Sequence, residues 1–162
     1  MDNIIVYTDG ACKDNQDKIH RRGGYGIFFG DNDIRNKSIK LTGPKITNQV
    51  AELSACISAI EIIINSSDNL PPNKIIIKTD SMYTINCVTK WFDGWKKRGW
   101  KKADGKPVDN LELIQKLHNY TTIIDVEFIH VRAHKSEPPK TDKSYNDWYG
   151  NMMADKFATD AC

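Results

Sequence analysis

Two β-branched runs, Ile4 to Tyr7 and Lys74 to Lys78, both lead into the dipeptide Thr-Asp, at Thr8-Asp9 and Thr79-Asp80. Runs of this kind favour strands, and a buried strand followed by Asp sets a carboxylate at the carboxyl end of a sheet, the edge where open α/β sheets bind ligands. Between them, Val50, Leu53, Ile57, Ile60 and Ile64 recur at three- and four-residue steps. That period predicts an amphipathic helix over 48–65, capped by Thr47 or Asn48.

The remaining pattern extends this strand-helix-strand unit. Gly24 to Phe29 and Ile34 to Leu41 have strand composition between breaks rich in Gly, Asp and Asn, so three successive strands form an antiparallel meander. After Thr79-Asp80-Ser81 a helix is expected to about Trp91. Asp109 and Glu112 resemble a capping box opening a helix through about Tyr120, Ile123 to Val131 reads as a strand, and a last helix runs from near Gly150 toward Ala161. The stretch from Ala133 to Trp148, with Pro138-Pro139 inside it, reads as a loop. The fold class is therefore α/β: a five-stranded mixed sheet with helices on both faces.

At 162 residues the chain has room for one domain, taken as 1–162. The longest helical candidate is interrupted by Glu52, Ser54, Ser58 and Glu61, and the start lacks a basic segment followed by a long apolar one, so neither a membrane span nor a secretory signal is expected. Cys12, Cys56, Cys87 and Cys162 form no C-x-x-C pair and are read as reduced thiols, which suits a cytoplasmic or nuclear setting. Net charge is only +2. Its distribution is uneven, with nine Lys and Arg against three Asp between Lys74 and Lys106, interleaved with Trp91, Trp95 and Trp100. Cations alternating with flat apolar faces suit a nucleic-acid backbone and its sugars.

Each acidic candidate also has an ordinary reading. Asp9 suits a turn before Gly10, Asp80 an N-cap, Glu52 the first turn of its helix, and Asp155 a solvated helix face. The joint pattern changes the weighing: YTDGAC at Tyr7 to Cys12, TNQVAEL at Thr47 to Leu53, KTDSMY at Lys78 to Tyr83 and GNMMAD at Gly150 to Asp155. In this order and context the four segments resemble type 1 ribonuclease H over nearly the whole chain. Trp91 to Asn110 looks like the family's basic protrusion.

The resemblance implies a ribonuclease H-like fold and sequence-independent endonucleolytic cleavage of the RNA strand of RNA/DNA hybrids, leaving 3′-hydroxyl and 5′-phosphate ends; the alternatives are a non-catalytic hybrid-binding module and a related-fold DNA nuclease of the junction-resolvase kind. It makes Asp9, Glu52, Asp80 and Asp155 a tetrad holding two Mg²⁺ ions, with Mn²⁺ able to substitute. Four converging carboxylates would repel one another unless cations neutralise them, and hard oxygen donors select such ions. His134 matches a loop histidine that assists proton transfer or product release. Trp91 and Trp95 match a DNA-strand channel, Lys45, Thr47 and Asn110 a DNA phosphate pocket, and Asn15, Asn48 and Gln49 contacts to 2′-hydroxyls and base edges. The run from His134 to Asp155 is longer than usual in the family, which makes Asp147 a rival for the fourth carboxylate. Asp155 is preferred because it keeps the G-N-x-x-A-D spacing, whereas Asp147 is expected in the loop. The chain is expected to act as a monomer. With no hybrid-binding segment before Asp2, processivity should be low.

Overall fold

The computed structural model describes residues 3–14, 16–67, 71–133 and 136–162. Its sheet has the order β3-β2-β1-β4-β5, formed by β1 (Asn3–Lys13), β2 (Arg22–Phe28), β3 (Lys37–Leu41), β4 (Lys74–Thr79) and β5 (Val126–His130). The first three strands pair antiparallel, and β4 runs parallel to both β1 and β5. This is the expected mixed sheet. Helices α1 (Asn48–Ser66), α2 (Met82–Thr89), α3 (Phe92–Lys97), α4 (Leu111–Ile123) and α5 (Tyr145–Ala161) complete the fold.

Alternation along the strands explains the layers. Val6, Ile27, Ile75 and Ile77 are fully buried with Leu53, Ile60 and Ile63 of α1 and Ile114 and Leu117 of α4, forming the main core on one face. α5 covers β1, β2 and β3 on the other face. Its approach depends on glycine: a Cβ on Gly26 would stand 2.2 Å from the Ala154 carbonyl oxygen. By length and composition α1 could cross a bilayer, but here it is a core helix with Leu53, Ala55, Cys56, Ala59, Ile60 and Ile63 fully enclosed. Thr47 caps it, accepting from the Val50 N–H at 3.1 Å.

Several local expectations are corrected. β1 does not end at Tyr7; pairing of Asp9 to Lys13 with β2 keeps the segment extended through the Asp-Gly that reads as a turn. β3 begins at Lys37, and Ile34, apolar but 93% exposed, lies outside it. Ser81, and not Asp80, caps α2, accepting from the Thr84 N–H at 3.2 Å. The helix expected to run to Trp91 ends at Thr89, and α3 follows as a separate short turn. Left-handed Asn110 (φ 59°), and not Asp109, stands at the cap position of α4, and the Asp109 carboxylate pairs with Lys102 at 3.3 Å. β5 is shorter than its apolar run. α5 starts at Tyr145, five residues before Gly150.

Candidate active site

The parallel pairing of β1 with β4 stops at Thr8 and Thr79, both fully buried, so Asp9 and Asp80 follow side by side where β4 ends. Asp9 is therefore inside β1, opposite Gly26 of β2, yet at the end of the parallel half of the sheet. Glu52 enters from α1. It is the fifth residue of that helix and not in its first turn, so the helix-dipole reading does not hold. The Gly10 N–H donates to Glu52 Oε1 at 2.8 Å and to Asp9 Oδ1 at 2.9 Å. A Cβ at Gly10 would meet the Glu52 backbone nitrogen at 2.6 Å, so only glycine lets the helix come this close.

One oxygen from each of Asp9, Glu52 and Asp80 lies within 4.8 Å of the others. Asp9 is 4% and Glu52 8% exposed. Burial, foremost, and the neighbouring Glu52 and Asp80 carboxylates push the Asp9 carboxyl far above the usual range. Glu52 is also raised, again first by burial. The three cannot all ionise at neutral pH without a compensating cation. The buried Glu52 Oε2 has no hydrogen-bond partner among the described residues, which leaves a hard oxygen donor open toward the cluster. This donor set fits a divalent cation of the Mg²⁺ or Mn²⁺ type.

Asp155, in the third turn of α5 and not at its start, is near enough to Asp9 to help raise its carboxyl, though it lies outside the three-oxygen cluster. It lines the same cleft of about 400 Å³ as Asp9, Glu52, Asp80, Asn48 and Gln49. Asp147, expected in a loop, stands instead in the first turn of α5. Its Oδ1 accepts from Tyr7 Oη and from Lys78 Nζ, both at 2.7 Å. Burial pushes the Asp147 carboxyl up, but those two donors outweigh it and hold the group below the usual range. The rival thus has partners of its own outside the carboxylate cluster.

Of the substrate candidates, Asn48 and Gln49 open α1 at the cleft. Lys45 Nζ donates to Asn110 Oδ1 at 2.7 Å, and Asn110 Nδ2 donates to Tyr83 Oη at 3.0 Å. Lys45 and Asn110 line a second hollow of about 460 Å³. Thr47 serves as the α1 cap at the base of this region. Trp91, 36% exposed, stacks edge-on with Tyr83 and lies 5.7 Å from Trp95, forming an aromatic row beside that network. Trp100 packs on Phe92 instead. Asn15 and His134 lie outside the described residues. The sequence reading missed Gly10, whose signal was its place directly after Asp9, Thr79, the fully buried β4 residue that lowers the Glu52 carboxyl against its burial, and the Tyr7–Asp147–Lys78 cluster, for which no local signal exists.

Comparison with known proteins gives the same picture over the whole chain. A family model described as RNase H matches residues 1–162. Human Ribonuclease H1 is 38% identical over 157 residues, covering 97% of this chain and 49% of the relative. Ribonuclease H of Alcanivorax borkumensis is 36% identical over 160 residues, covering 98% of this chain and 90% of the relative. The chain spans about half the length of the mammalian relatives it matches. Among solved structures, LC11-RNase H1 in complex with RNA/DNA hybrid has the same fold, with a TM-score of 0.64 at 20% identity, covering 97% of this chain and 94% of that one.

Proposed function

The chain belongs to the RNase H family, and from that premise we propose that it hydrolyses the RNA strand of RNA/DNA hybrids endonucleolytically, leaving 3′-hydroxyl and 5′-phosphate ends. The observation that carries the proposal is the cluster of three carboxylate oxygens within 4.8 Å, one of its members with an unpartnered buried oxygen. Asn48 and Gln49 share its cleft. An RNase H1 of the same fold has been seen bound to such a hybrid.

In this reading Asp9, Glu52, Asp80 and Asp155 hold two Mg²⁺ ions, with Mn²⁺ as a substitute. Bound there, the cations would lower the pKa of an attacking water and offset the charge that gathers on the phosphate and the departing 3′-oxygen. The protein supplies placement. The Gly10 N–H fixes Glu52 against Asp9, and the last parallel pair of β1 and β4, Thr8 with Thr79, holds Asp9 and Asp80 side by side. No side chain acts as nucleophile: the water oxygen bonds to phosphorus, the bond from phosphorus to O3′ breaks, and a proton reaches O3′. His134 is assigned to assist that proton transfer or product release.

Asn48 and Gln49, joined by Asn15, are assigned to the 2′-hydroxyls and base edges of the RNA, groups that a wide minor groove displays. Lys45, Thr47 and Asn110 take a phosphate of the DNA strand, and Trp91 and Trp95 pack along that strand. Recognition of both strands restricts cleavage to the hybrid, and one copy of the chain suffices. The test is a side-by-side assay of hybrid, duplex DNA and duplex RNA with Mg²⁺ and with chelator. Cleavage of hybrid RNA alone, abolished by chelator, is expected. Equal cleavage of duplex DNA, or cleavage in chelator, would overturn the proposal.

A further inference from the structure

Tyr7 and Lys78 are register partners across the parallel strands β1 and β4. Both donate to one atom, Oδ1 of Asp147, at 2.7 Å. Each stands two residues before a cluster carboxylate on its own strand, Tyr7 before Asp9 and Lys78 before Asp80. Asp147 and Asp155 lie eight residues apart on α5, with buried Asn151 midway. Steps of four place these three along one face of a helix, about 12 Å from end to end.

Most of the remaining contact between α5 and the sheet is apolar, with the Phe28 ring against Tyr149 and Phe157. It rests on close approach at Gly24, Gly26 and Gly150; a Cβ on Gly150 would overlap the Tyr7 ring at 2.4 Å. Small-residue surfaces bring backbones together, whereas a charge-assisted hydrogen bond also fixes which residue faces which. A slip of one residue turns a helical face by about 100° and shifts it by about 1.5 Å, enough to take Asp155 away from Asp9. Other ties among the described residues, Ser38 Oγ to the Phe157 carbonyl, Tyr149 Oη to Asp31 and the cap Cys162 Sγ to the Ala11 carbonyl, bind α5 to β3, to the turn beyond β2 and to the far part of β1. Of these ties, the one at Asp147 refers the helix to the two strands that carry Asp9 and Asp80.

We propose that Asp147, gripped by Tyr7 and Lys78, is a positioning residue that sets the register of α5 and so brings Asp155 to the cation site. The inference rests on the reading of Asp155 as a cation-holding carboxylate. Asp147 itself touches neither substrate nor cation. Removing the grip should leave the reaction intact while loosening the cation's fourth carboxylate.

The test measures Mg²⁺ binding to the substrate-free protein by calorimetric titration, together with the Mg²⁺ concentration for half-maximal cleavage. Asp147→Ala and Lys78→Met are each expected to raise both the dissociation constant and that concentration by about tenfold, the lower end for partners that orient metal ligands. At saturating Mg²⁺, kcat should stay within about threefold of the parent. The double variant should be no worse than the weaker single one, because either change alone releases the grip. Asp147→Asn, which keeps Oδ1 as acceptor, should restore most of the affinity. A lowered Tm with unchanged Mg²⁺ affinity in both single variants would overturn the proposal by reducing the cluster to a structural tie. If Asp147→Ala does not fold, Tyr7→Phe and Lys78→Met decide by the same criteria. Failure of the underlying reading looks different: Asp155→Asn would then bind Mg²⁺ and cleave like the parent.

Discussion

The backbone N–H of Gly10 donates to Glu52 at 2.8 Å across a gap that no side chain could occupy. Gly10→Ala would set a Cβ 2.6 to 2.8 Å from backbone and side-chain atoms of Ala51 and Glu52, and backbone cannot yield as a flexible side chain does. Overpacking of this kind costs about 1–3 kcal/mol, so Tm should fall by roughly 3–10 °C for a chain of this size. Displacing α1 also moves Glu52 from Asp9, so cleavage should drop at least tenfold. A variant with parent-like melting and activity would show that the helix shifts without consequence.

Asp9→Asn should abolish cleavage and yet stabilise the protein in chelator. The folded Asp9 carboxyl is raised above its unfolded value, near pH 3.9. Between those two values the folded state holds a proton that the unfolded state lacks, so the stability of the cation-free protein falls as pH rises through the interval. Asp33 and Asp147, whose carboxyls are lowered, work in the opposite sense, but only below about pH 4. Melting in chelator at pH 5 and pH 8 isolates the first effect. The parent should lose Tm toward pH 8, and Asp9→Asn should lose less and melt at least ~3 °C higher there, at about 1.4 kcal/mol per pKa unit removed. An Asn variant melting below the parent at pH 8 would contradict this account.

The contrast between what the residues announced and what they concealed follows the range of the forces. Strand composition and helical period placed Asp9, Glu52 and Asp80 on their elements, but each alone reads as a turn, helix-start or cap residue, and only the joint resemblance to type 1 ribonuclease H drew them into one site; the meander follows from the strand pattern. The course of β1 past Tyr7 was not legible, because Asp9 to Lys13 stay extended only by pairing with β2. The start of α5 was hidden for a similar reason. Tyr145 to Tyr149 have weak helix propensity and follow a Pro- and Lys-containing stretch, and the contacts that support their turn, Tyr7 and Lys78, lie 140 and 69 residues away from Asp147. Asp109 failed as a cap because the left-handed turn at Asn110 makes that residue, one further along the chain, the start of α4.

The basic segment after α2 should act on binding and not on chemistry. Lys96, Lys97 and Lys101 are exposed, whereas Lys102 already pairs with Asp109. Changing Lys96, Lys97 and Lys101 to Gln should raise KM several-fold and reduce the slope of log affinity against log salt by about 0.7–0.9 for each phosphate that is no longer neutralised. Adding Lys102→Gln should change the slope less than any of the first three. An unaltered slope would detach the segment from the nucleic acid, and a large fall in kcat at saturating substrate would assign it to the active site.

The identity of the fourth carboxylate is decided by comparing Asp155→Asn with Asp147→Asn. Asp155 shares the cleft with Asp9 and helps raise its carboxyl, and an amide there keeps the shape while removing the charge that offsets a cation. Activity in Mg²⁺ should fall by orders of magnitude, with partial recovery in Mn²⁺, which accepts nitrogen- and amide-containing ligand sets more readily. Asp147 spends its Oδ1 on Tyr7 and Lys78, and an amide oxygen can accept from both donors. Its Asn variant should therefore lose less than about tenfold, or 1.4 kcal/mol of transition-state stabilisation. Single-turnover cleavage at saturating hybrid, measured for both variants across Mg²⁺ and Mn²⁺ concentrations, separates the cases. The reverse ranking would move the fourth carboxylate to the first turn of α5 and leave Asp155 as a neighbour that only shares a proton with Asp9.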